Sequence, residues 1–257
     1  MVDTSRLESA VRSQNGDLKL IGYIMAGHPN RKKSIEVGKK LAGSGIAALE
    51  IGMPFSDPLA DGPVIQRAGQ AALEHGMTVE GALEVAAAVA AEGPPVVLMT
   101  YMNPILAHDP RKFAAEAAQA GVAGVIVPDL PVEEAEPVAA WLRSASLDTV
   151  FMVAPTTSEE RVEVITSHSC GFIYCVTVTG ITGARRELPE GMTELFVRVR
   201  KHTNLPVAAG FGISRAEHMK ALRGQIDAAV VGSAIVDEID KGNDPTALVA
   251  ELLKACR

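Results

Sequence analysis

Two acids in one short stretch of the chain are the residues best placed to do chemistry. In Ala47-Ala48-Leu49-Glu50-Ile51-Gly52-Met53-Pro54-Phe55-Ser56-Asp57-Pro58-Leu59-Ala60-Asp61-Gly62-Pro63, Glu50 interrupts an otherwise apolar run. As a strand, that run puts Glu50 on one face with Ala48 and Gly52, and Leu49 and Ile51 on the other. A carboxylate facing inward among small neighbours is poorly solvated. Its pKa should rise towards the range in which it can give and take protons near neutrality. A structural acid bonded to a neighbouring loop would also account for Glu50 alone, but the loop that follows holds two acids and two prolines between Phe55 and Pro63. Proline restricts the backbone, so Asp61 is presented in a fixed place within reach of the same site. Asp57 could face a partner or be a turn-forming acid before proline.

A second group of residues is glycine-rich. Gly180-Ile181-Thr182-Gly183, Ala209-Gly210-Phe211-Gly212-Ile213-Ser214 and Val231-Gly232-Ser233-Ala234 each follow a short apolar run. Unpaired backbone N–H groups at such turns and helix starts can hold a phosphate without a lysine, and glycine lets the anion approach; glycines that end strands for packing would look similar. Residues 178–189, with Arg185 and Arg186, read as a glycine-hinged lid or as a solvated loop. Lys19 precedes the first apolar run and the other lysines fall in helical or terminal segments, which argues against a Schiff-base aldolase. The six histidines are scattered and only His28 falls at a strand end, which disfavours a metal-dependent aldolase or epimerase. His28 itself is expected at a helix cap or in solvent.

Elements must hold these groups in place. Apolar runs at 20–25, 47–51, 96–101, 124–127, 149–153, 172–178, 207–209 and 228–231 read as strands. Between and after them, helical periodicity covers 31–42, 64–75, 78–91, 111–120, 132–144, 159–168, 192–201, 216–223 and 234–239. Asp109-Pro110, Pro131 with Glu133 and Glu134, Ser158 and Ser214 are expected helix starts. Eight short, continuously apolar strands alternating with helices predict an α/β (β/α)₈ barrel over an open sheet. The turn after the first run, Ala26-Gly27-His28-Pro29, also lacks the dinucleotide-binding glycine pattern. Residues 4–13, with Leu7 and Val11 one turn apart, form an extra N-terminal helix that covers one barrel end. A length of 257 residues suits one such domain over 1–257.

Charge and cysteines narrow the function classes. A formal charge of −7 disfavours a broad nucleic-acid or anionic-membrane surface, so any anion must meet a local site. Cys170, Cys175 and Cys256 form neither a disulfide framework nor a zinc-ligand pattern, and no metal site is expected. The polar, acid-containing N-terminus is not a targeting segment, which with reduced thiols points to the cytoplasm.

Taken together, the windows resemble the tryptophan synthase α subunit family over nearly the whole chain. The residues that carry the resemblance are 49–63, Met99-Thr100-Tyr101-Met102-Asn103-Pro104, Val127-Pro128-Asp129-Leu130-Pro131-Val132-Glu133-Glu134, 179–185, 210–214 and 231–234, in the family's order. The resemblance implies a lyase that splits indole-3-glycerol phosphate into indole and glyceraldehyde 3-phosphate, with no cofactor in this chain. It implies a pyridoxal-phosphate-containing β subunit as partner, in an α₂β₂ heterotetramer, that receives the indole. By motif it makes Glu50 and Asp61 the catalytic acids. Tyr101, Tyr174, Thr182, Gly183, Phe211, Gly212, Gly232 and Ser233 become substrate-binding, and Pro54, Phe55, Asp57, Asn103 and Pro104, in the region that runs on to Leu106, partner-facing. The window 20–29 departs from the family at Leu20, Gly22 and His28. A regulatory subunit with little chemistry of its own, or a stand-alone lyase that releases indole, would share much of this pattern.

Overall fold

The computed structural model describes residues 4–176, 190–210 and 212–256. Among the described residues there are nine strands, all parallel: β1 (Lys19–Met25), β2 (Ala48–Gly52), β3 (Val96–Met99), β4 (Val122–Ile126), β5 (Asp148–Val150), β6 (Met152–Val153), β7 (Ile173–Val176), β8 (Val207–Gly210) and β9 (Ala228–Val231). Their order, β5-β4-β3-β2-β1-β9-β8-β7-β6, makes the two ends of the sheet the two halves of one stave. The expected strand over 149–153 is therefore split at Phe151, where pairing passes from β4 to β7. Main-chain bonds from Cys170 N–H to Thr149 O (2.9 Å) and Tyr174 N–H to Phe151 O (3.0 Å) carry the ladder across the split. Eight staves thus close a (β/α)₈ barrel, as the alternation of short apolar runs and helices predicts.

Side-chain parity divides the strands into two layers. Ile21, Ala48, Val97, Ile126, Phe172 and Ala208 belong to one buried cluster inside the barrel. Leu20, Ile24, Leu49, Ile51 and Leu98 belong to the other, under the helices. The N-terminal helix Arg6–Val11 puts Leu7 and Val11 into the inner cluster, so it plugs the end at which the strands begin. Leu7 is packed so closely there that a Cβ on Gly124 or Gly171 would lie 2.9 or 2.8 Å from its Cδ2. Buried Asp227 ties this end together, accepting from Ser13 N–H (3.1 Å), Val207 N–H (2.8 Å) and the Arg200 guanidinium (2.6 Å).

The helices match the expected pattern with four differences. The segment 132–144 is a 3₁₀ turn, Val132–Glu134, followed by the helix Glu136–Ser144, because Pro137 has no N–H to continue a single helix. Ser214 does not cap the helix expected over 216–223: Arg215 occupies the N-cap position of Ala216–Leu222, while Ser214 N–H donates to His218 Nδ1. Two helices were not anticipated, Met102–Ala107 and the C-terminal Thr246–Ala255, which buries Val249 and Leu252. Asp109 and Ser158 cap as expected, by accepting from the first-turn N–H groups of Pro110–Gln119 and Glu159–His168.

Candidate active site

At the C-terminal ends of the strands lies a cavity of about 500 Å³. Its apolar wall includes Met99, Pro128, Met152, Val176 and Val230, and its polar groups include Tyr23, Glu50, Asp61, Tyr174 and Ser233. Glu50 stands on β2 with its side chain inward, as the alternation requires, and is 1% exposed. Its Oε2 has no hydrogen-bond partner among the described residues. Burial, and next the nearby charge of Asp61, push its pKa up to about 8. At pH 7 this side chain is therefore a neutral acid holding a transferable proton.

Asp61 reaches the cavity from the loop after β2. That loop is pinned from inside: Asp61 N–H donates to Pro58 O (3.1 Å), and Ala60 N–H donates to the Tyr101 hydroxyl oxygen (3.1 Å). The Tyr101 hydroxyl in turn hydrogen-bonds to the Asp61 carboxylate. Burial raises the Asp61 pKa to about 6 while the bond from Tyr101 opposes the rise, so Asp61 is mostly ionised at pH 7. Two carboxyl groups in one cavity thus differ in protonation: Glu50 can donate and Asp61 can accept.

Tyr101 occupies the N-cap position of the Met102–Ala107 helix, and the N–H of Met102 donates to Asp129 Oδ1 at 3.0 Å. Asp129, in the loop after β4, thereby fixes the turn that aims Tyr101. Its motif carries the family resemblance without giving Asp129 a role. Tyr23, also not anticipated, lines the cavity from β1. Its parity with inward-facing Ile21 was the available signal.

On the opposite side, Gly212 and Gly232 lie at the cavity wall with Ser233. Gly212 has φ +81°, a conformation glycine adopts without strain. Gly232 is the N-cap of the helix Ser233–Asp240, and no side chain caps that helix. The start of this helix, with the positive end of its dipole, therefore lies at the cavity wall, an arrangement suited to an anion. Thr182, Gly183, Phe211 and the segment 178–189 lie outside the described residues.

The expected partner-facing residues divide. Asp57 and Asn103 are exposed, and Pro104 is partly so. Pro54 is buried, and half-buried Phe55 packs its ring on that of Tyr101 with centroids 5.2 Å apart. Asp57 accepts from the Ser56 hydroxyl at 2.5 Å. His28 is neither a cap nor solvated: it is buried, with Nε2 2.7 Å from Asp240 Oδ1.

A closed parallel barrel with a neutral acid, an ionised acid and an uncapped helix start at its mouth defines a (β/α)₈ enzyme of the acid–base type. Within that class the chain belongs to the tryptophan synthase alpha chain family, whose model matches residues 9–257. The tryptophan synthase alpha chain of Carboxydothermus hydrogenoformans is 47% identical over 232 residues, covering 90% of this chain and 87% of that one. That of Halalkalibacterium halodurans is 44% identical over 260 residues, covering 98% and 97%. Among solved structures, a chain of Mycobacterium tuberculosis tryptophan synthase superposes with a TM-score of 0.94 at 35% identity, over 99% of both chains. A mutant tryptophan synthase α subunit from Pyrococcus furiosus gives 0.84 at 36% identity, over 93% and 98%.

Proposed function

We propose that this chain is the α subunit of a tryptophan synthase and cleaves indole-3-glycerol phosphate to indole and glyceraldehyde 3-phosphate. The observation that carries this reading is the opposite protonation of two carboxyl groups in one cavity, Glu50 neutral and Asp61 ionised at pH 7. Glu50 gives its proton to indole C3 while Asp61 accepts the N–H proton, which makes the ring an indolenine. The Glu50 carboxylate then takes the proton of the side-chain hydroxyl next to the ring. That oxygen becomes an aldehyde carbonyl as the carbon–carbon bond breaks, and its electron pair returns to the ring. Asp61 returns the N–H proton, so no water and no redox partner enters the balance. Each acid–base step contributes about 10²–10⁴ in rate.

The remaining groups bind and orient. Gly212, Gly232 and Ser233, with the helix start behind them, receive the phosphate. Tyr101 and Tyr174 border the ring, and Thr182, Gly183 and Phe211 are proposed to complete the enclosure. The reading asks for no cofactor in this chain. A pyridoxal-phosphate β subunit receives the indole, in an α₂β₂ assembly in the cytoplasm. Three unpaired cysteines agree with that compartment, and no helix among the described residues is long and apolar enough to cross a membrane.

The test is indole release from indole-3-glycerol phosphate by the chain alone and with its β partner. Weak activity strongly raised by the partner is expected. High activity alone would instead indicate a stand-alone lyase, and no activity in either condition would overturn the reading. Glu50→Gln should lower turnover by about 10²-fold or more while glycerol phosphate binding persists.

A further inference from the structure

Tyr23 lines the reaction cavity, and no step above uses it. It lies on β1 directly opposite Glu50 in the parallel register. Its ring leans across β2, so that a Cβ on Gly52 would overlap the Tyr23 hydroxyl and come within 2.7 Å of its Cζ. Gly52 follows Glu50 by two positions and shares its inward face. The hydroxyl thus occupies the space a side chain at 52 would fill, on the mouth side of Glu50. Val236, Ala68 and Ala72 pack with Tyr23 and hold the ring in that pose. Burial, then the charges of Asp61 and of Glu50, keep the Tyr23 pKa well above its ordinary value, so the group remains an O–H donor. In the same cavity, the buried Oε2 of Glu50 has no partner among the described residues.

We propose that Tyr23 is a positioning residue for the lyase step, whose hydroxyl donates a hydrogen bond to the Glu50 carboxylate formed after Glu50 has protonated the ring. Neutral Glu50 gains little from such a donor; the carboxylate, in a desolvated site, gains much more. Holding one oxygen leaves the other directed at the side-chain hydroxyl whose proton it takes next. The phenol gives up no proton, so the balance of the reaction is unchanged. Tyr174 repeats the geometry across the barrel, with its hydroxyl 2.6 Å from where a Cβ on Gly210 would stand. It is the natural control.

The inference rests on the proposed lyase reaction, and the two can fail separately. If the wild-type complex with its β partner releases no indole, the reaction is wrong. If it does, Tyr23→Phe removes only the hydroxyl. The expected result is a fall in kcat of about tenfold with KM within about twofold. The alkaline limb of the kcat profile should move up by about half a pH unit or more, because a carboxylate that loses a donor is harder to form. Unchanged kcat and an unmoved limb would overturn the proposal. So would a loss confined to KM, which would make the hydroxyl a substrate contact. A limb displacement of the same size in Tyr174→Phe alone, with none in Tyr23→Phe, would assign the role to Tyr174.

Discussion

At the scale of single residues, Glu50 and Asp61 are the same kind of group made different by what surrounds them. Glu50 is walled in by strands, and nothing among the described residues bonds its buried oxygen. Asp61 is less deeply set and has the Tyr101 hydroxyl as a partner that favours its charged form. The active form of the free enzyme therefore has Asp61 ionised and Glu50 protonated. As pH rises through about 6 Asp61 loses its proton and activity should climb; as it rises through about 8 Glu50 loses its proton and activity should fall. A bell-shaped kcat/KM profile with limbs near those values is expected. Asp61→Asn should lower kcat by about 10²-fold and remove the acidic limb while keeping the alkaline one. A profile that is flat between pH 5 and 9 would contradict the assignment.

At the scale of elements, the two barrel ends carry separate tasks. The end where the strands begin is closed by Leu7 and Val11, both buried, from the N-terminal helix. Leu7→Ala should cost roughly 2–5 kcal/mol of stability, read as a lower urea midpoint, because the surrounding strands cannot collapse into the space. The kcat of the folded variant should stay within about twofold, since the acids lie at the other end. Much of this organisation was legible in the chain: the alternation Ala48-Leu49-Glu50-Ile51 assigns faces correctly, and the Leu7/Val11 spacing identifies the plug. What escaped has physical causes. The split at Phe151 is a change of pairing partner, which side-chain pattern does not record. Pro137 did signal the broken helix, but the run of helix formers around it hid the signal. Tyr23 reads as one more apolar strand residue until Gly52, on a different strand, is seen to make room for it. His28 reads as a cap or solvent residue because its partner Asp240 is 212 positions away and leaves no local signal. The short helix Met102–Ala107 depends on Asp129, in another loop, to take up the Met102 N–H.

At the scale of the whole molecule, an acidic chain must hold an anionic substrate and pass a neutral product to a neighbour. The net charge of −7 gives no general attraction for phosphate, and the proposed function assigns its binding to neutral amides at the start of the Ser233–Asp240 helix. Indole, once formed, has no charge by which to be held, and its route onward depends on where the partner docks. The acid-bearing loop after β2 and the Met102–Ala107 helix after β3 meet through the Ala60–Tyr101 hydrogen bond. A partner seated on that helix would therefore act on the turn that aims Tyr101 at Asp61. Leu106, 54% exposed on the helix and outside the cavity lining, is the apolar side chain positioned to meet it, with Asn103 beside it. Leu106→Glu should leave the slow turnover of the isolated chain within about twofold. It should abolish most of the stimulation by the β subunit, because a charge would be buried without a partner at the contact. The two are separated by measuring indole release against β-subunit concentration, with co-elution on gel filtration to report the complex. Loss of stimulation together with loss of co-elution places the docking surface on this helix. Undiminished stimulation would move it to another part of the rim and leave Tyr101 coupled to the partner by some other path.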